Sequence, residues 1–123
     1  MAAVTRGTKI RPCMPVGYEV VSSVRNVTEA VLAGDLLMLG PNGWAKSAAT
    51  TPAAKRGFAA MDYAAGRADC SVVTSGELSG FTGLVTGDPL FPSAVAGGLE
   101  TVAVVGFTGL IHAVSATMIA FTL

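Results

Sequence analysis

The feature that most constrains this chain is that it reads as one design written twice. Val31–Ser47 runs VLAGDLLMLGPNGWAKS and Leu84–Val102 runs LVTGDPLFPSAVAGGLETV. Each is an apolar approach, a Gly-Asp turn, a short apolar strand, a Gly-containing turn and a second strand. Gly57–Val73 (GFAAMDYAAGRADCSVV) and Gly106–Ile119 (GFTGLIHAVSATMI) carry the match further: both open on Gly-Phe, pass through an apolar strand, cross an Ala- and Ser/Gly-rich turn and end in another strand. The quasi-repeats span about residues 31–73 and 84–121, and a unit of roughly fifty residues built from strands and turns is a building element more naturally than an active site.

The turn dipeptides Gly34-Asp35 and Gly87-Asp88 fall at matching places. Gly accepts dihedrals that side chains forbid, and Asp is able to bond its own downstream backbone, so each pair is expected to start a strand at a fixed register. Pro41-Asn42-Gly43 and Ala96-Gly97-Gly98 are the hairpin turns that follow. With turn signals about every ten residues and Gly at most junctions, the pattern predicts an all-β barrel or sandwich. Expected strands are Tyr18–Val24, Val27–Leu32, Leu36–Leu39, Trp44–Ser47, Phe58–Asp62, Ser71–Thr74, Leu78–Phe81, Leu90-Phe91, Leu99–Val105, Gly109–Val114 and Thr117–Phe121. Only Ala48–Lys55, with Thr51 as cap and Pro52 at the first helical position, suggests a helix. Residues 1–15 read as an extended arm or edge, ended by Pro12 and Pro15, and residues 16–123 as a single β domain.

At 123 residues the chain has room for one well-buried core. It is 51% hydrophobic but only 13% charged, against about 25% charged in ordinary domains. Apolar surface is therefore left over in a lone copy, and self-association or docking on a larger surface relieves it. The zero net charge conceals a division: residues 1–56 hold seven basic and three acidic groups, giving +4, while residues 57–123 hold one basic and five acidic, giving −4. Such asymmetry suits head-to-tail contact between copies or a basic arm on an acidic neighbour, although so few charges also divide this way by chance.

Several function classes lose support. The basic trio Arg6, Lys9 and Arg11 is a weak electrostatic footprint for nucleic acid. The uncharged run Thr101–Leu123 is long enough for a membrane helix, but it is rich in Gly, Thr, Ser and Val, lacks flanking Lys or Arg, and matches a charged counterpart in the first copy, so it reads as buried strands. Cys13 and Cys70 read as reduced, incidental thiols, in keeping with folding in a cytoplasm. His112, the single histidine, is expected to be an interface or satisfied residue rather than a base, and the serines lie in turns with no nucleophile elbow. Asp35 and Asp88 make a poor calcium cage. No enzyme, metal or cofactor is expected.

The order GFAAMDYAAGRADCSVVTSGELSGF, then GDPLFPSAVAGGLET, then VGFTGL before a closing strand, over Ala33–Leu123, resembles the small capsid decoration, or cement, proteins of tailed bacteriophages. The resemblance implies a compact β-barrel or β-tulip-like sandwich. It also implies a homotrimer on the outer surface of an expanded head, made in the host cytoplasm, clamping neighbouring major capsid proteins. Arg6, Lys9 and Arg11 are then expected to contact the capsid or a neighbouring subunit. The alternatives are another oligomeric phage part (tail, head fibre or baseplate) and a small β-barrel ligand-binding module or enzyme.

Overall fold

The computed structural model describes residues 5–13, 19–22, 27–48, 55–67 and 70–123. Among them the secondary structure is all β: β1 (Thr5–Cys13), β2 (Glu19–Ser22), β3 (Leu36–Gly40), β4 (Gly43–Lys46), β5 (Arg56–Ala59), β6 (Ser71–Thr82), β7 (Phe91–Pro92), β8 (Leu99–Glu100), β9 (Leu110–Ala113) and β10 (Met118–Thr122). Eight strands form one sheet with the continuous order β4-β3-β5-β6-β10-β9; β1 and β2 also pair with β6, and β7 with β8 forms a separate two-stranded ribbon. The ends of that order, β4 and β9, do not pair, so the sheet folds over as a sandwich rather than closing into a barrel.

The long strand β6 makes this possible. Its first half is flanked by β2 and β5, its second by β1 and β10. Against β2 the register jumps from Val20↔Val73 to Glu19↔Ser75, so one residue of β6 is extra. An extra residue in a period-two strand moves every later side chain to the opposite face. Val73 and Leu78 are an odd number of residues apart, yet both reach the same core.

Alternation assigns the remaining faces. Leu36, Phe58 and Val73 lie opposite one another across β3, β5 and β6 and enter the main core with Leu78, Phe81, Leu90, Leu99, Ile111, Ile119 and Phe121. Their sequence neighbours Leu37, Ala59 and Val72 point the other way into a second core, closed by Val27, Val31, Trp44, Tyr63 and Cys70. The sheet of the first repeat is thus buried on both faces. In the second repeat Ile111, Ala113, Ile119 and Phe121 are buried while the alternate residues Leu110, His112, Ala120 and Thr122 are half-buried or exposed.

The duplication recurs in the hydrogen bonds. Gly34 and Gly87 have φ of 86° and 92°, a region that L side chains avoid. The amide of Gly34 donates to Ala59 O (2.9 Å) and that of Ala59 to Asp35 O (2.9 Å); the amide of Gly87 donates to Ala113 O (2.8 Å) and that of Ala113 to Asp88 O (3.0 Å). Asp35 N bonds Leu32 O and Asp88 N bonds Val85 O. Leu36 lies opposite Phe58 and Phe58 opposite Val73; Pro89 lies opposite His112 and His112 opposite Ala120.

Four expectations need correction. Val27–Leu32 is not a strand: Val27 and Val31 make isolated bridges to Trp44 and Tyr63 while capping the second core. Ser71–Thr74 and Leu78–Phe81 are one strand, because Ser75-Gly76 and Ser79-Gly80 lie within β6 rather than in turns. The strand expected over Leu99–Val105 stops at Glu100, as its partner β7 is two residues long. The strand expected over Phe58–Asp62 is Arg56–Ala59, its ladder ending where Ala59 meets the Gly34-Asp35 turn. The strand expected over Tyr18–Val24 is seen over Glu19–Ser22, and Tyr18, Ser23 and Val24 lie outside the described residues. Residues 49–54 of the expected helix lie outside the described residues. No helix among the described residues is long and apolar enough to cross a membrane, and the uncharged C-terminal run contains β9 and β10.

Candidate interaction surface

Three surfaces compete for a functional role, and a buried polar seam between the repeats sets their positions. At that seam the Gly97 turn of the second repeat plugs into the first: Leu36 N donates to Gly97 O (2.9 Å), Gly97 N to Ser47 O (3.0 Å) and Ser47 N to Leu36 O (2.7 Å). Beside it the buried Arg56 donates from Nε to Ser47 Oγ (2.8 Å) and from Nη2 to Ala48 O (2.8 Å), while its guanidinium lies 5.5 Å from the centre of the Phe107 ring. Burial pushes the Arg56 guanidinium below its ordinary value, since desolvation disfavours the charged form. Ser93 Oγ donates to the Glu100 carboxylate (2.5 Å) and accepts from Val95 N (2.9 Å), which holds the β7–β8 turn shut. These groups tie chain to chain and form the scaffold.

The expected turn residues are scaffold as well. Asp35 is buried, and its carboxylate accepts from Leu32 N (2.8 Å), fixing the turn that starts β3. Gly34-Asp35 and Gly87-Asp88 each dock on the alanine that ends an antiparallel partner strand, and the Asp35 carboxylate bonds upstream, to Leu32, rather than to its own downstream backbone. Among the described residues no three His, Cys, Asp or Glu side chains gather as a metal site. Cys70 is a buried free thiol 3.1 Å from Arg67 O.

The first candidate surface is β1, which carries Arg6, Lys9 and Arg11. Its backbone runs antiparallel to β6, with Arg6 opposite Phe81 and Arg11 opposite Ser79 and a register irregularity between them around Lys9. The expected arm is thus a nine-residue strand of this chain's own sheet. The three basic residues share that strand and are not brought to the Gly-Asp turns.

The second is the connection from β8 to β9. Val105 is 94% exposed, Val102 is exposed beside it, and Leu110, the first residue of β9, is 72% exposed. The turn at Val104–Phe107 is closed by Phe107 N to Val104 O (3.3 Å), and the Phe107 ring packs edge-on to Phe91 and over Arg56. An aromatic anchor below presents the valines above. No charged residue occurs from Thr101 onward.

The third is the open face of β9, β10 and the second half of β6. Its rows are Leu110–Thr122–Ser75, His112–Ala120–Glu77 and, from β10 to β6, Met118–Ser79. His112, Leu110 and Thr122 are exposed; Ala120, Met118, Ser75, Glu77 and Ser79 are half-buried. Sequence reasoning placed His112 on an apolar strand without a face. The signal available was the alternation in Leu110-Ile111-His112-Ala113 against that in Met118–Thr122. The burial of Arg56 and Glu100 carried no local signal, since it depends on groups contributed by distant segments.

No protein-family model, curated protein or solved structure matches this chain.

Proposed function

We propose that this chain is a structural subunit of a viral particle: a decoration protein that binds as an oligomer, three copies together, to the outside of a tailed-phage head and ties neighbouring major capsid proteins. On this reading it performs no catalytic step and takes no cofactor. The observation that carries the proposal is the uncharged β8–β9 connection, which holds Val102 and Val105 out to solvent around an anchored Phe107 and leads into the exposed Leu110 at the start of β9. Exposing such side chains costs solubility in a lone copy and serves contact with a larger surface. Many such contacts, each weak, gain strength by repetition on a symmetric lattice. The opposite charge balance of the two halves supports the same reading, because it favours head-to-tail contact between copies.

The test is co-sedimentation of the purified chain with expanded heads stripped of decoration, alongside purified tails. Saturable binding to heads, lost in the Val102→Asp/Val105→Asp variant, is expected. Binding to tails alone moves the protein to a tail or baseplate role, and a monomer by light scattering that binds neither particle overturns the proposal.

A further inference from the structure

The two repeats are the same unit with different surroundings, and the difference singles out one face. In the first repeat the row Leu36–Phe58–Val73 is buried under the second repeat. The equivalent row of the second repeat, identified by the matching Gly-Asp bonds, is Pro89–His112–Ala120, and it continues to Glu77 on β6. This row is open: Pro89 and His112 are exposed, and Ala120 and Glu77 are half-buried. The face by which one unit holds its neighbour is, in the other unit, left exposed among the described residues.

We propose that this open face is a contact between two copies of the chain, related by a two-fold axis running along β10 past Ala120. The chemistry of the row supports that occupant. His112 on β9 and Glu77 on β6 stand one strand to either side of Ala120, so each is about 5 Å from it along the row. Turning a second copy over about β10 sets its Glu77 against His112 of the first, and its His112 against Glu77 of the first. An imidazole that donates a hydrogen bond meets a carboxylate twice, and the small Ala120 lets the sheets approach between them. Such a contact is self-complementary, as an isologous interface must be. It goes beyond a three-fold ring, whose contacts are head-to-tail, and serves to join one ring to the next. Strands β9 and β10 are short and only half of β6 takes part, so the interface is small, and the contact is transient between free copies and is best detected by trapping.

The test replaces Ala120 by Cys in a Cys13→Ser background, where the native Cys70 is buried, and treats the free protein with a short bismaleimide. Covalent dimers are expected to form at least tenfold faster than from Asn42→Cys, in the exposed β3–β4 turn of the first repeat. Glu77→Lys in the Ala120→Cys chain should slow the reaction at least tenfold, and adding His112→Glu should restore it by setting a carboxylate against each new lysine. Equal rates at positions 120 and 42, or no restoration by the double exchange while circular dichroism shows the fold intact, overturns the inference. Cross-linking needs no shell and co-sedimentation needs no cross-link, so this contact and the decoration reading fail separately.

Discussion

The ring of Phe58, on β5, lies against the ring of Phe121, on β10, with centroids 4.6 Å apart and planes inclined at 55°. The two strands belong to different repeats, and both flank β6. The main core is therefore the interface between the repeats, and neither repeat keeps its own half of that core without the other.

One cooperative unfolding transition is expected for the whole chain as a consequence. Phe58→Ala should cost about 3–5 kcal/mol, the range for removing a fully buried ring. Phe121→Ala should cost a similar amount, with a coupling between the two of about 0.5–1.5 kcal/mol from the ring pair itself. Urea denaturation followed by Trp44 fluorescence, which reports on the first repeat, and by far-ultraviolet circular dichroism should give coincident curves for the wild type. Two separated transitions would show that the repeats are independent.

The Gly-Asp turns offer a test of backbone conformation alone. Gly87 has φ of 92°, and a Cβ built on it meets nothing within 4 Å. Any loss in Gly87→Ala then comes from the left-handed backbone, about 1–2 kcal/mol. Gly87→Asn should lose less, because Asn tolerates that region by bonding locally. The ordering Gly, Asn, Ala in denaturation midpoint is the expected result, and equal midpoints for Asn and Ala would remove the backbone explanation.

Gly57 is a glycine for a different reason. It sits opposite Leu37 in the β3–β5 ladder, and a Cβ there runs into Val72 Cγ1 and to within 3.2 Å of Val73 O. Gly57→Ala should destabilise by about 1–3 kcal/mol, as overpacking of a closed core does. Val72→Ala empties the space that the new methyl group needs. The double variant should therefore be more stable than the sum of the two single losses predicts, by at least about 0.5 kcal/mol in a double-mutant cycle.

The turns were legible because Gly-Asp, Pro-Asn-Gly and Ala-Gly-Gly act through their own backbones, and local chemistry is what a single sequence displays; the match of Gly57-Phe58 to Gly106-Phe107 does not hold, because the bonds of Ala59 and Ala113 to the two Gly-Asp turns set Phe58 equivalent to His112 and leave Phe107 in a turn. Strand β6 was less so. Ser75-Gly76 and Ser79-Gly80 look like turns, and only the neighbours on both edges of β6 keep the chain extended through them. The Val27–Leu32 segment misled for the opposite reason: its Val and Leu content suits a strand, but Val27 and Val31 are used as a lid over Trp44 and Tyr63. Among candidate surface residues, His112 stood out as a solitary histidine, whereas its equivalence to Phe58 became visible only through the shared pairing of Ala59 with Asp35 and Ala113 with Asp88.

Arg56 provides the sharpest test of the seam between the repeats. Its guanidinium is buried, Nε donates to Ser47 Oγ, Nη2 donates to Ala48 O, and Phe107 covers it from the second repeat. Two donors pointing in fixed directions from one planar group is a geometry that an ammonium does not reproduce. Arg56→Lys should therefore lose more than about 1 kcal/mol although it keeps the charge, because at least one acceptor is left without its donor in a dry site. Arg56→Met removes the desolvation cost of the cation as well as the bonds, so its loss should be no greater than that of Arg56→Lys. A further consequence is local. Without the guanidinium beneath it, the Phe107 ring loses a face contact, and proteolysis in the Thr101–Gly109 connection should quicken in both variants relative to the wild type. Arg56→Lys with wild-type stability and wild-type cleavage would mean that charge, not directional bonding, holds the seam.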